Sequence, residues 1–260
     1  MSPSLFRSAL AGVALLSSVA AQAQVGDFFR NVLPPGVEQG GVAGAVMLHA
    51  PRYAGSDQER LRVLPSVDYQ WREGWFAGVV NGLGYRVSGG SGQVYGLRLS
   101  MDFGREEDDS SALRGMGDLK PRLLAGAFYN QELGGGFNLS SSLRTGRGTL
   151  LDLGVSWGHA LRPDLRVAAG VAMSWADARH TQSYFGVNAA QSQASGYPVF
   201  KPGAGLRDVR ASASVIYRPL RDWSLTATLG QGSLRGDVQR SPLVRDASPQ
   251  SLILTVGHHF

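Results

Sequence analysis

Between Tyr95 and Phe103 every second residue is apolar. Tyr95, Leu97, Leu99, Met101 and Phe103 share one face of an extended chain, and Gly96, Arg98, Ser100 and Asp102 share the other, because successive side chains of a strand leave on opposite sides. The same period of two sets Leu151, Leu153, Val155 and Trp157 against Asp152 and Ser156, and Leu165, Val167, Ala169, Val171, Met173 and Trp175 against Arg166 and Ser174. It returns in Val209, Ala211, Ala213, Val215 and Tyr217 against Arg210, Ser212 and Ser214, and in Trp223, Leu225, Ala227 and Leu229 against Ser224, Thr226 and Thr228. The last ten residues repeat it, with Leu252, Leu254, Val256, His258 and Phe260 on one face. A slip of one residue would turn Arg98 or Asp152 to the apolar side, so register is strongly specified. Strands with one oily and one mixed face suit a wall between lipid and water, and predict an all-β fold, a closed antiparallel transmembrane barrel.

Turn residues divide the chain into strands near 41–50, 61–71, 74–86, 93–103, 119–130, 136–145, 149–160, 164–175, 206–218, 222–231 and 251–260. That is an odd number, whereas single-chain bacterial barrels close with an even one. A strand is therefore missed or split, in the glycine-rich stretch 74–86 or at Ser183–Val187. Twelve strands is the expectation, with ten the alternative. Counting back from a periplasmic C-terminus places the connections 104–118, 176–205 and 232–250 outside the cell, in line with long outer loops and short periplasmic turns. The same count places Pro51–Arg60 in the periplasm. Trp71, Tyr129, Trp157, Trp175, Tyr217 and Trp223 fall near strand ends, where interfacial aromatic girdles form.

At the other end, Arg7, the apolar run Ala9–Val19 and Ala21-Gln22-Ala23 read as a cleaved secretory signal over 1–23. Residues 24–40 then form a short periplasmic leader and 41–260 the barrel. Mean hydropathy is only −0.09, as alternation averages lipid-facing and lumen-facing residues in every window. Absence of cysteine removes disulfides, thiolate metal sites and cysteine nucleophiles. The net charge of +5 is scattered and forms no basic cluster, which argues against nucleic acid. Arg98, Arg144, Arg166 and Arg210 are expected inside the barrel beside Asp68, Asp102 and Asp152. Small barrels fill their interiors with side chains, so this predicts a plugged polar core; a narrow channel for small solutes is the alternative.

Candidate chemistry is sparse. His180, with Asp177 three residues before it and Ser183 three after, is the one triad-like grouping, and a solvated loop explains it as well. No phosphate loop or zinc motif is present, so no enzyme activity, cofactor or metal site is expected. Binding candidates are Tyr184 and Phe185, either exposed for recognition or folded back over the barrel mouth, and the acidic run Glu106–Asp109, a solvated tip or a cation site facing lipopolysaccharide. On the assumed periplasmic connection, Tyr53, Gly55, Ser56 and Asp57 are the candidate partner surface. Phe260, closing the last strand, is the expected signal for the barrel assembly machinery.

Seven segments then carry a resemblance. Pro51-Arg52-Tyr53-Ala54-Gly55-Ser56-Asp57, Leu64-Pro65 with Tyr69, Gly82-Leu83-Gly84-Tyr85, Asp102-Phe103-Gly104-Arg105, Leu113-Arg114-Gly115-Met116-Gly117-Asp118, Gln182–Val187 with Ser195-Gly196, and Leu234-Arg235-Gly236-Asp237 leading to Ser241-Pro242-Leu243-Val244 together resemble the MipA/OmpV family of outer-membrane proteins. The resemblance implies a scaffold that joins a lytic murein transglycosylase to a penicillin-binding protein beneath the outer membrane. Other members of that family are adhesins or take part in uptake, so a surface-binding barrel is the second implication.

Overall fold

The structure is a computed structural model that describes residues 38–260; the expected signal and most of the leader lie outside the described residues. Twelve strands close into one antiparallel barrel: β1 (Gly40–Pro51), β2 (Glu59–Gln70), β3 (Trp75–Gly78), β4 (Gly82–Ser88), β5 (Gln93–Asp102), β6 (Arg122–Gly134), β7 (Phe137–Gly146), β8 (Gly148–Arg162), β9 (Leu165–Ala176), β10 (Gly205–Leu220), β11 (Trp223–Leu234) and β12 (Gln250–His259). Each strand pairs with its sequence neighbours. The seam joins β1 to β12, from Val42 opposite His259 to His49 opposite Leu252. Phe260 extends that seam by exchanging two backbone bonds with Gly41, of 2.8 and 3.0 Å.

The alternation read from the sequence sets the two faces. Leu97, Leu99, Val155, Val171, Met173, Val215, Leu225 and Leu229 are exposed on the outside, whereas Arg98, Asp102, Arg144, Asp152, Ser174, Arg210 and Thr228 are buried inside. Trp71, Trp175, Tyr217 and Trp223 stand outward near strand ends, where a girdle would lie. Arg166 also has inward parity, but sits at the open end of the lumen and is exposed.

The missing strand lies in 74–86, which is a hairpin and not one strand. Its turn, Val79–Asn81, ends at Gly82 with φ of 74°, a left-handed conformation suited to glycine. A Cβ there would also stand 2.0 Å from the Leu99 carbonyl oxygen. Ser183–Val187 is not a strand: Ser183 to Phe185 end a helix, and Val187 makes only an isolated bridge to Phe200.

Splitting that strand corrects one placement. With twelve strands the start of β1 and the end of β12 lie together, and β1 runs away from them, so Pro51–Glu59 joins the long connections at the opposite end. The short turns 71–74, 89–92, 135–136, 163–164 and 221–222 flank the termini; the loops 103–121, 177–204 and 235–249 crowd the other mouth. By the usual asymmetry of these barrels that mouth is extracellular. The segment Pro51–Arg60, expected in the periplasm, is therefore on the outer side, because an odd count inverts every connection before the error.

Candidate functional site

The long connections do not hang free over the outer mouth. They pack into it. Helix α1 (Ala178–Phe185) starts at Asp177, whose carboxylate accepts from the His180 N–H at 2.7 Å and from the Thr149 N–H at 2.8 Å, fastening the cap to the start of strand β8. Helix α2 (Ala189–Ser195) carries a reciprocal cap between Asn188 and Gln191 and stops at Gly196 in the left-handed region. Three small apolar clusters hold the assembly: Tyr53 with Ala112 and Leu113; Met116 with Val187 and Leu243; Phe185 with Leu234 and Val238.

The sequence-derived binding candidates are parts of this plug. Tyr53 is 3 % exposed and donates its hydroxyl to the Leu243 carbonyl at 2.7 Å, and burial pushes its phenol up to about 12. Gly55 accepts on its carbonyl from the amides of Arg245 and Asp246, and the Ser56 side chain closes a local turn with Gln58. Asp57 alone of these four is exposed. Phe185 is 1 % exposed, and the half-buried Tyr184 donates its hydroxyl to Asp102 on β5, so both aromatics fold back over the mouth. Burial, followed by the negative charge of Asp102, raises the Tyr184 phenol. Half of the acidic run is spent in the same way: Asp109 receives Arg60, and Glu107 accepts from the amides of Gly115 and Gly117, whereas Glu106 and Asp108 are exposed. No group of three possible metal ligands occurs among the described residues.

Beneath the plug runs a ladder of charge. Arg144 Nη2 meets Asp152 Oδ2 at 2.5 Å, Arg210 bridges Asp152 (3.4 Å) and Asp208 (2.5 Å), and Arg207 Nε reaches Asp208 at 2.5 Å. Arg207 then donates to His180 Nε2 at 3.1 Å; a guanidinium can only donate, so this nitrogen accepts and the ring is neutral. A β-bulge between Leu206 and Asp208 is what lets adjacent residues Arg207 and Asp208 both turn inward. Sequence alternation alone assigns Arg207 to the outer face and misses it. Charges this deep are retained only when paired, and the ladder ties β7, β8 and β10 to the plug.

The triad-like grouping does not assemble. Asp177 is used as a helix cap, Ser183 donates to the Arg179 carbonyl, and the His180 ring stacks on Tyr184 with centroids 4.7 Å apart. Burial, followed by the charges of Arg207 and Arg144, pushes His180 down to about 3. On the side facing the termini, the lumen holds a cavity of about 140 Å³ lined by Asp68, Phe76, Arg86, Arg98, Phe128 and Asn138, among others.

The family described as MltA-interacting protein MipA matches the chain over residues 43–260, and the chain belongs to it. No curated protein matches. The translocator domain of the autotransporter NalP from Neisseria meningitidis is similar in fold, with a TM-score of 0.50 at 9% identity over 94% of this chain and 99% of that one. An outer membrane channel from Pseudomonas putida F1 gives a TM-score of 0.49 at 12% identity over 88% and 100%. The chain is thus an outer-membrane β-barrel of a Gram-negative bacterium, and this likeness to solved structures extends to the fold alone.

Proposed function

We propose that this barrel is a binding scaffold that holds a lytic murein transglycosylase at its periplasmic end, and so places wall cleavage beside a penicillin-binding synthase. The observation that carries the reading is the closed outer mouth. A lumen capped by three apolar clusters and crossed by the Arg144–Asp152–Arg210–Asp208–Arg207 ladder is built for rigidity, and a wide aqueous channel takes about 16 to 18 strands. Membership in a family described as MltA-interacting supports the class of partner. Since Tyr53 and Ser56 lie on the outer side, the contact surface falls on the turns beside the termini, where Arg72, Arg162 and Arg221 are exposed. The reading is of a binding and not a catalytic function.

Affinity capture from detergent-solubilised envelopes tests it. Wild-type barrel is expected to recover a murein transglycosylase, and the pair Arg72→Glu with Arg221→Glu to lose it while the barrel stays heat-modifiable on gels. Planar bilayers are expected to stay silent. Steady single-channel openings without any capture of wall enzymes would overturn the scaffold in favour of a solute channel.

A further inference from the structure

The barrel wall is interrupted on its outer half. The β3–β4 hairpin pairs with β2 only over Asp68–Gln70, plus one bond from the Val79 N–H to the Val67 carbonyl (3.0 Å), and with β5 only as far as Leu99. Above its tip a notch remains, with residues 59–66 of β2 on one side and 100–102 of β5 on the other.

Backbone direction follows from bonds lower down. The Trp71 N–H donates to Trp75 and the Val67 carbonyl accepts from Val79, so odd-numbered residues of β2 turn their polar groups toward β3. Leu61 and Val63 therefore aim both N–H and C=O into the notch. Pro65 aims only a carbonyl, the arrangement that confines proline to strand edges. Across the gap, Met101 shares the parity of Gln93, whose carbonyl accepts from Gly89 on the β4 side. Among the described residues no backbone bond closes any of these groups.

This edge faces the membrane. The side chains of Leu61 and Val63 point outward and are 57% and 66% exposed, and Val79 and Val80 at the hairpin tip are exposed too. An unsatisfied backbone group in hydrocarbon costs several kcal/mol, so bare lipid tails are poor company for it. Just inside, Arg62 carries three guanidinium nitrogens with no hydrogen-bond partner. The charges that reach it are Arg60, of like sign, and Asp109 and Glu106; Asp109 is already engaged by Arg60 and by the Glu106 amide. A positive charge lacking a partner beside an open polar edge, at the level of the outer leaflet, calls for a polar anion carried by an apolar body.

We propose that the notch between β2 and β5 binds the phosphorylated headgroup of an outer-leaflet lipid. Its acyl chains lie over Leu61, Val63, Val79 and Val80, its hydroxyl or amide groups pair with the free backbone edge, and its phosphate meets Arg62. Arg62 has inward parity and its guanidinium nitrogens are shielded from solvent, and the long side chain rotates toward the notch to make the contact. The site is independent of the scaffold reading and lies at the other end of the barrel.

Native mass spectrometry of the full chain, extracted in mild detergent from outer membranes, reads the site directly. One phosphorylated lipid is expected to stay bound, and Arg62→Gln to lower its occupancy at least fivefold, while Arg166→Gln at the open end of the lumen leaves it unchanged. Equal occupancy in Arg62→Gln overturns the proposal. Displacement by millimolar inorganic phosphate also overturns it, in favour of a free-anion site. Amide exchange on the unmodified protein gives a second readout that no folding defect can confound. Leu61, Val63 and Met101 are expected to exchange fast in lauryldimethylamine oxide micelles, which carry no phosphate, and slowly once lipid A is added, and equal exchange in both refutes the site.

Discussion

Acid should loosen the plug through His180. In the folded chain burial, then Arg207 and Arg144, hold this imidazole near a pKa of about 3, against the opposing pull of Asp177 and Asp152, while an unfolded or undocked loop returns it to about 6.5. A depressed folded value means that the undocked state binds the extra proton. The stabilising contribution is therefore complete above pH 6.5 and falls by about 1.4 kcal/mol for each pH unit below it. At pH 5 the loss is about 2 kcal/mol, and it levels off near pH 3. Asp177, whose carboxylate is favoured by the His180 and Thr149 amides over its burial, loses its contribution only below about pH 4, so the window from 6 to 4.5 isolates the histidine. Limited proteolysis of the 177–204 connection, with the barrel folded in detergent, is the assay. Cleavage should accelerate about tenfold or more between pH 6.5 and 5, and His180→Gln, neutral throughout, should flatten the curve. An unchanged slope in His180→Gln refutes the assignment.

Asp152→Ala should destabilise the barrel by about 3–5 kcal/mol, because Arg144 and Arg210 are left as buried charges short of a partner; a shift of the heat-modifiability midpoint on gels measures it. Deleting Phe260 removes both backbone bonds to Gly41 at an open edge in lipid, and should lower the amount of assembled barrel in outer-membrane fractions; wild-type amounts would count against the seam. Gly44→Ala should do the same, since the new Cβ would stand 1.9 Å from the Val256 carbonyl oxygen across that seam. Tyr53→Phe removes one buried hydrogen bond to Leu243 and should cost the plug about 1 kcal/mol, seen as faster cleavage of 235–249 with capture of wall enzymes unchanged.

The faces of the strands were legible because a lipid-facing wall penalises every misplaced charge, so Arg98, Asp152 and Arg210 could only point inward. The count was nearly legible. Asn81-Gly82 is a strong hairpin signal, but apolar Val79 and Val80 beside it kept 74–86 looking continuous. That one omission inverted the connection before it, and with it the side on which Tyr53, Gly55, Ser56 and Asp57 stand. Arg207 was hidden for a different reason: a bulge changes parity locally, and no periodicity argument sees it. The burial of Tyr184 and Phe185 depends on contacts with Asp102, Leu234 and Val238, far away in sequence and set by barrel closure.

The two ends of this barrel answer to different constraints. The outer mouth spends its aromatic and acidic residues on its own packing, so that Tyr53, Phe185, Asp109 and Glu107 are used up as structure. Among the described residues the terminal end carries short turns and an open cavity, with Arg72, Arg162 and Arg221 exposed. Changes at the outer mouth act through the stability of the plug, and a loss of partner capture caused by them should track proteolytic sensitivity. Changes on the turns beside the termini leave the fold intact, because exposed substitutions rarely exceed about 0.5 kcal/mol. Capture that fails there, with protease resistance unchanged, reports the contact surface itself.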